Sequence, residues 1–380
     1  MTTPAPPPVS LYFTPEWWDA YYHPHAPRPE SPSEAALETL YLGRQRFLFE
    51  TFGAWGLGAE QPELGPGQIA TAIRHGFDLV PVLLGTRLDV ADAWGFFPRL
   101  RALAELHGLR PVDIAESPEG EWLAAEKERL LRRYGGCTHC VDIGSVTNNA
   151  FRILGQEVYA EALADPEGLR ALFEVILETE RHLHRFLTGL FGPQDPVPVS
   201  NCNVSLLGPD TYAGLALPFD IRQGRFTAEL SGLVARAAVH HCDVKADAFF
   251  GAYSRFPGLV SLQASFESDV AAARAALPGA TFSALVSPLV LNADLDELRA
   301  ACERAASGGA SDFAIWNVDA TTPPTRVGEL LDILKQTATG RAPAPSAMPL
   351  CWEELEWAHG RYRAAARAVS AKVLRARKDA

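Results

Sequence analysis

Short apolar runs that alternate with helix-patterned stretches constrain this chain more than any other feature. The runs "FDLVPVLLG" (77–85), "CVDIG" (140–144), "PVPVSNCNV" (196–204), "ARAAVHHC" (235–242), "GLVSLQA" (258–264), "TFSALVS" (281–287) and "DFAIWNV" (312–318) have the length and composition of buried parallel strands. Between them lie stretches with apolar residues at helical spacing, clearest over 165–192, 268–279, 294–309 and 323–337. Repeated strand–helix alternation predicts parallel βα units, either in an open doubly wound sheet or in a closed barrel. No G-x-G-x-x-G follows a strand and no G-x-x-x-x-G-K-[ST] occurs, so the phosphate-cradling loops of an open nucleotide-binding sheet are missing. The expectation is therefore an α/β chain with a (β/α)8 TIM-type barrel over 36–340. It carries an N-terminal aromatic and proline-rich strap over 1–35 and a C-terminal linker and helix over 341–380. Trp17, Trp18, Tyr21 and Tyr22 in the strap are expected to pack on a body formed elsewhere. Ser33 is the expected cap of the first long helix.

Composition limits the functions available. The 380 residues are 47% hydrophobic and 21% charged, enough apolar material for a large core. With 34 basic and 46 acidic residues the net charge is −12, which works against general attraction to nucleic acid or anionic lipid. "MTTPAPPPVS" lacks the basic and apolar regions of a leader, and no stretch reaches the roughly 20 apolar residues of a membrane span. A cytoplasmic protein with no membrane partner is expected. Six cysteines spread over this length do not resemble a secreted disulfide framework, so the thiols should be reduced, either buried or bound to metal.

The chemistry-bearing residues gather near strand ends, where barrel enzymes place reacting groups. His240 and Cys242 lie two apart on an extended segment, so both side chains emerge on one side, and an imidazole with a thiolate suits Zn²⁺. His241 should face the other way. The following strand ends in Gln263, Glu267 and Asp269, the first two being candidates for a third ligand or an acid/base role, whereas Asp269 reads as a helix cap. Cys202, beside Asn201 and Asn203 at a strand end, is a further candidate ligand. Cys302 shares a helical stripe with Leu295 and Leu298 and reads as core packing. Cys137, His139 and Cys140 make a C-x-x-C segment without the second pair that a structural zinc site needs. Asp142, Asn148, Gln68, His75 and Asp78 flank other turns, where capping is the ordinary role of such groups, and His23 and His25 read as exposed. No G-x-S-x-G or H-E-x-x-H is found, so serine-hydrolase and zincin chemistry lack their signatures.

"VHHCD" followed by "GLVSLQASFESDVAAARAALPG" resembles the H-x-C-G region and next strand–helix unit of the uroporphyrinogen decarboxylase superfamily. "DIGSVTNNAFRILGQEVYAEALADPEGLRALFEVILET", "NVSLLGPDTYAGLALPFD" and "NVDATTPPTRVGELLDIL" resemble other segments of that superfamily and fall in the same order, so the likeness spans roughly residues 40–340. It implies a (β/α)8 barrel and either decarboxylation or zinc-dependent methyl transfer. The region matching the arginine motif of the porphyrin decarboxylase, "LYFTPEWWDAYYHPHAPRP", has no arginine before Arg28, which points to the methyltransferase branch. In that branch H-x-C and a later cysteine bind zinc and activate a thiol acceptor. Here Trp316 and Asn317 stand where the later cysteine is expected, and Asp243 replaces the glycine after Cys242. The resemblance thus implies zinc on His240 and Cys242, with Cys202, Gln263 or Glu267 completing the set and Asp142 as a further polar group at the mouth. The expected partners are a small-molecule substrate and a corrinoid carried on another protein, since no D-x-H-x-x-G segment is present. A homodimer is also compatible. The alternatives are a metal-free decarboxylase or lyase acting on a small carboxylic acid, and a noncatalytic ligand-binding subunit.

Overall fold

In a computed structural model of the chain the described residues are 9–23, 34–65, 69–71, 78–86, 88–92, 95–98, 101–139, 143–193, 198–232, 237–242, 245–337 and 350–351. His25, Ser33, Gln68, His75, Cys140, Asp142, Asp243 and the expected C-terminal helix lie outside them. The fold is mixed α/β. In the first of its two units a sheet runs in the order Val9–Phe13, Asp312–Val318, Thr281–Val286, Leu259–Ser265 and Ala237–His241. These pairings are all parallel, as in a TIM-like α/β arrangement. In the second unit a three-stranded sheet (Leu350–Cys351, Ile69–Thr71, Thr138–His139), an antiparallel pair (Leu88–Asp92 with Gly95–Pro98) and the short strand Val199–Ser200 complete the strand set among the described residues. The chain divides into two compact units, residues 1–64 with 237–348 and residues 65–236 with 349–380.

In the first unit, four consecutive strands from Ala237–His241 to Asp312–Val318 lie side by side in chain order. Helices Val270–Ala276 and Leu295–Gly308 fall between them in sequence. Leu295–Gly308 shows why such segments form and where they stop. Asp294 caps its start by accepting from the Asp296 N–H at 2.8 Å, and Leu298, Ala301, Cys302 and Ala305 bury one stripe at helical spacing. Gly309, at φ +94°, ends it, and any Cβ there would collide with the Arg274 guanidinium.

The N-terminal segment enters this unit as a strand, pairing Val9 with Phe313 and Leu11 with Ile315. Thr14 then caps helix Pro15–Tyr21, with Pro15 in the first turn. Trp17 is fully buried, and its ring lies 4.2 Å from Phe13, 5.1 Å from Trp18 and 6.3 Å from Phe52. Its indole N–H donates to the Thr322 carbonyl at 2.9 Å, and the Tyr21 hydroxyl donates to the Ala320 carbonyl at 3.0 Å. These aromatics therefore brace the turn that follows strand Asp312–Val318.

In the second unit the dominant element is helix Pro166–Phe191, capped by Asp165, which accepts from the Gly168 N–H at 2.9 Å. Its buried stripe runs through Leu169, Leu172, Phe173, Ile176, Leu177, Glu180, Leu183, His184 and Leu187. Fully burying each large apolar side chain contributes about 1.5–3 kcal/mol, and several together outweigh the few kcal/mol lost by burying Glu180 and His184 on the same face.

One expected strand is a helix. Residues Leu79–Leu83, inside the run "FDLVPVLLG", form a short helix with Leu79, Val80 and Pro81 buried. Pro81 explains the difference: it has no N–H to give a central ladder, yet it fits the first turn of a helix, where the N–H has no intrahelical partner. Among the described residues of the run 196–204 the strand is two residues long, Val199–Ser200, before the backbone turns into the helical turn Val204–Leu206.

Candidate metal centre

His240 is the fourth residue of strand Ala237–His241 and is buried, 3% exposed. The parallel register sets it opposite Gln263, and Gln263 opposite Ser283 on the next strand. Side chains at one level of adjacent strands project to one face, and these three are linked. His240 Nδ1 lies 2.6 Å from Gln263 Oε1, and the Gln263 amide N–H donates to Ser283 Oγ at 3.3 Å. A carboxamide oxygen only accepts, so Nδ1 carries the ring proton and Nε2 keeps the lone pair a cation would use.

His241 takes a different environment. It is fully buried, with Nδ1 2.6 Å from the Tyr253 hydroxyl and its ring 5.1 Å from Phe249. Strand alternation thus separates the adjacent histidines.

Within the first unit, ligand atoms of His240 and Cys242 lie within 4.8 Å of each other. Cys242 is exposed, whereas the imidazole is sealed. A sulfur and an imidazole nitrogen are soft-to-borderline donors, the type that holds Zn²⁺ in preference to Mg²⁺ or Ca²⁺. The donor chemistry fits the metal. Cys202 belongs to the second unit, where it is half-buried just after strand Val199–Ser200.

The other expected residues are not all in that cluster. Gln263 bonds to His240 and Ser283 as described. Glu267 is exposed, just beyond strand Leu259–Ser265, with its backbone N–H bonded to Ser265 Oγ at 3.3 Å. Asp269 caps helix Val270–Ala276, accepting from the Ala272 N–H at 2.9 Å. Asp142 lies outside the described residues. Cys302 is fully buried and its thiol is pushed up to about 12, chiefly by that burial, which leaves it an unreactive part of the core. Burial also raises the Cys137 thiol, and it lowers His139 to about 4, so that this ring is neutral at pH 7.

A second polar set lies in residues 143–223. Ser145 caps helix Val146–Leu154, and Gly144, at φ +77°, makes the turn before it. Below that turn, Asn149 donates to the Ile143 carbonyl and to Glu180 Oε1, both at 2.8 Å, and Gln223 donates to the Gly144 carbonyl at 2.7 Å. Glu180 and Asp220 are fully buried, and burial pushes both carboxyls up, Asp220 to about 7. His184, one helical turn from Glu180, is held down at about 3 by burial. None of these was singled out in the sequence. The available signal was a glutamate and a histidine on the apolar stripe of a long helix, positions where charge is rarely tolerated.

The raised Asp220 sets a pH dependence. Its folded value is above the value near 3.8 of a free carboxyl, so the folded state holds the proton more tightly. The stability this supplies is complete below pH 4 and is lost as pH rises through about 7. Asp220→Asn cannot ionise, and denaturant unfolding at a series of pH values should show a shallower downward slope between pH 4 and 7, the remainder belonging to Glu180. An unchanged slope would mean that Asp220 is charged in the fold.

No family model matches the chain, and no curated protein matches it. Among solved structures, a methyltransferase from Methanosarcina mazei is similar in fold: 14% identical, with a TM-score of 0.58, covering 88% of this chain and 95% of that one. Among the described residues no helix is long and apolar enough to cross a membrane.

Proposed function

We propose that this chain is a zinc-dependent methyltransferase, built on a closed (β/α)8 barrel and related to the methyltransferase branch of the uroporphyrinogen decarboxylase superfamily. The observation that carries the reading is the approach of the His240 and Cys242 ligand atoms within 4.8 Å of each other. The fold likeness to a methyltransferase supports it at the level of architecture. His240 and Cys242 would hold the metal. Zinc in such a donor set lowers the pKa of a bound thiol, supplying a nucleophile at neutral pH.

The chain's own groups do the rest. Gln263 fixes the tautomer and tilt of His240 and so belongs behind the centre, not in it. The exposed side of Cys242 leaves an approach for the acceptor, and Glu267, exposed beyond the neighbouring strand, is the group proposed to receive the acceptor's proton. The methyl donor is a methylcorrinoid carried on a partner protein or a small methylated compound.

Protein purified without added metal is expected to contain about one zinc per chain, the stoichiometry of a single site. It should also methylate a small thiol when methylcobalamin is the probe donor. Metal-free protein that stays metal-free on zinc addition would sink the reading and favour the metal-free decarboxylase.

A further inference from the structure

Beneath the turn at Gly144, four buried side chains of the second unit each have one polar atom tied down and a second with no partner among the described residues. Gln223 gives its amide N–H to the Gly144 carbonyl at 2.7 Å, and Asn201 gives its own to the Tyr212 hydroxyl at 3.0 Å. That hydroxyl donates in turn to Asp220 Oδ2 at 2.9 Å, while Glu180 Oε1 accepts from Asn149. The atoms left over are Gln223 Oε1, Asn201 Oδ1, Asp220 Oδ1 and Glu180 Oε2. All four are oxygens, on side chains no more than 1% exposed. The amide orientations are fixed by their neighbours. A peptide carbonyl only accepts, so Gln223 must turn its nitrogen toward Gly144, and the Tyr212 hydroxyl, its proton spent on Asp220, accepts from the Asn201 nitrogen.

The four residues share one neighbourhood. Asp220 and Gln223 lie three apart on helix Leu217–Leu230 and so on one face of it. Gln223 and Asn149 hold successive carbonyls of one turn, Gly144 and Ile143. Asn149 holds Glu180, whose carboxyl is raised by burial and further by the charge of Asp220. The contacts therefore close a circuit from the turn through Gln223, Asp220, Glu180 and Asn149 back to the turn, and Asn201 joins it through Tyr212. Buried oxygens without a donor are unfavourable, and among the described residues no lysine or arginine acts on either carboxyl. Two carboxylates and two amide carbonyls make a hard, sulfur-free donor set. Ca²⁺ takes such oxygens, about six to eight of them in irregular geometry, whereas Mg²⁺ demands an octahedron and keeps its own water.

We propose that Glu180, Asp220, Asn201 and Gln223 form a calcium site buried inside the second unit. The ion ties helix Pro166–Phe191, helix Leu217–Leu230 and the turn after strand Val199–Ser200 to one another. Its two charges balance the two carboxylates, which an apolar interior does not accept alone. The site stands apart from the zinc reading, since none of its donors is a cysteine or a histidine and all of them belong to the second unit.

The test strips the full chain with a chelator and titrates it with CaCl₂ at pH 8, above the value of about 7 to which burial raises Asp220, with MgCl₂ as the comparison ion. Calorimetry should give about one Ca²⁺ per chain, bound about tenfold or more tightly than Mg²⁺. The thermal transition should rise by about 5 °C or more at a hundredfold excess over Kd. Amide exchange followed by mass spectrometry should slow with Ca²⁺ in peptides from helices Pro166–Phe191 and Leu217–Leu230 and stay the same in strand Thr281–Val286. Glu180→Gln and Asp220→Asn keep the size of each side chain and remove a charged donor, so each should bind Ca²⁺ about tenfold or more weakly. Glu167→Gln, an exposed glutamate of the same helix as Glu180, and Cys242→Ser should bind it as the wild type does. If either carboxamide variant fails to fold, the wild-type titration and its exchange pattern still decide. No Ca²⁺ uptake by wild type at about 10 mM, beyond the range of ordinary calcium sites, overturns the proposal. So does Mg²⁺ binding as tight as Ca²⁺, uptake that both carboxamide variants retain in full, or slowed exchange confined to other segments.

Discussion

Cys242→Ser protein is expected to purify with its zinc almost gone, against about one equivalent per chain in the wild type, because a neutral hydroxyl replaces an anionic sulfur donor. Cys242 is exposed, so the substitution should leave the fold intact and the thermal transition of the metal-free forms unchanged. Cys302→Ser makes a sharp comparison. That thiol is buried in a helix stripe and carries no donor role, so its loss should affect stability and leave zinc content alone. Elemental analysis of the two proteins side by side checks the assignment. Equal zinc in Cys242→Ser and wild type would remove residue 242 from the centre.

Trp17→Ala should be the most destabilising single change in the N-terminal segment, costing about 3–5 kcal/mol as large buried aromatics do. The indole is fully buried among Phe13, Trp18 and Phe52, and its loss also leaves the Thr322 carbonyl without its donor. Trp17→Phe keeps part of the packing and should recover a good share of the loss. Urea unfolding followed by far-ultraviolet circular dichroism measures both. A midpoint for Trp17→Ala equal to that of the wild type would mean that the segment contributes nothing to the core.

What the sequence disclosed followed from periodicity. His240 and Cys242, two apart on a strand, had to emerge together, and His241 had to face elsewhere, on Tyr253. The strands Ala237–His241, Leu259–Ser265, Thr281–Val286 and Asp312–Val318 were legible as apolar runs between helix-patterned stretches. Over 77–85 two signals oppose each other, the apolar content of a buried strand and the missing N–H of Pro81, and the proline prevails. Val9–Phe13 joining the sheet was not legible either. Its partner, Asp312–Val318, lies some three hundred residues away, and pairing at that separation leaves no local pattern. The same holds for the anchoring of Asn201 by Tyr212 and Asp220. Each residue taken alone reads as an ordinary turn or helix position, and only the folded distances join them.

The row His240, Gln263, Ser283 runs across three neighbouring strands at one level. Sliding strand Leu259–Ser265 by a single position would set Leu262 or Ala264 against the histidine, turning its ring loose and taking the hydrogen-bonding oxygen to the opposite face. Correct alignment of the sheet and a competent imidazole are therefore one and the same condition. Any redesign of these strands must move all three positions together.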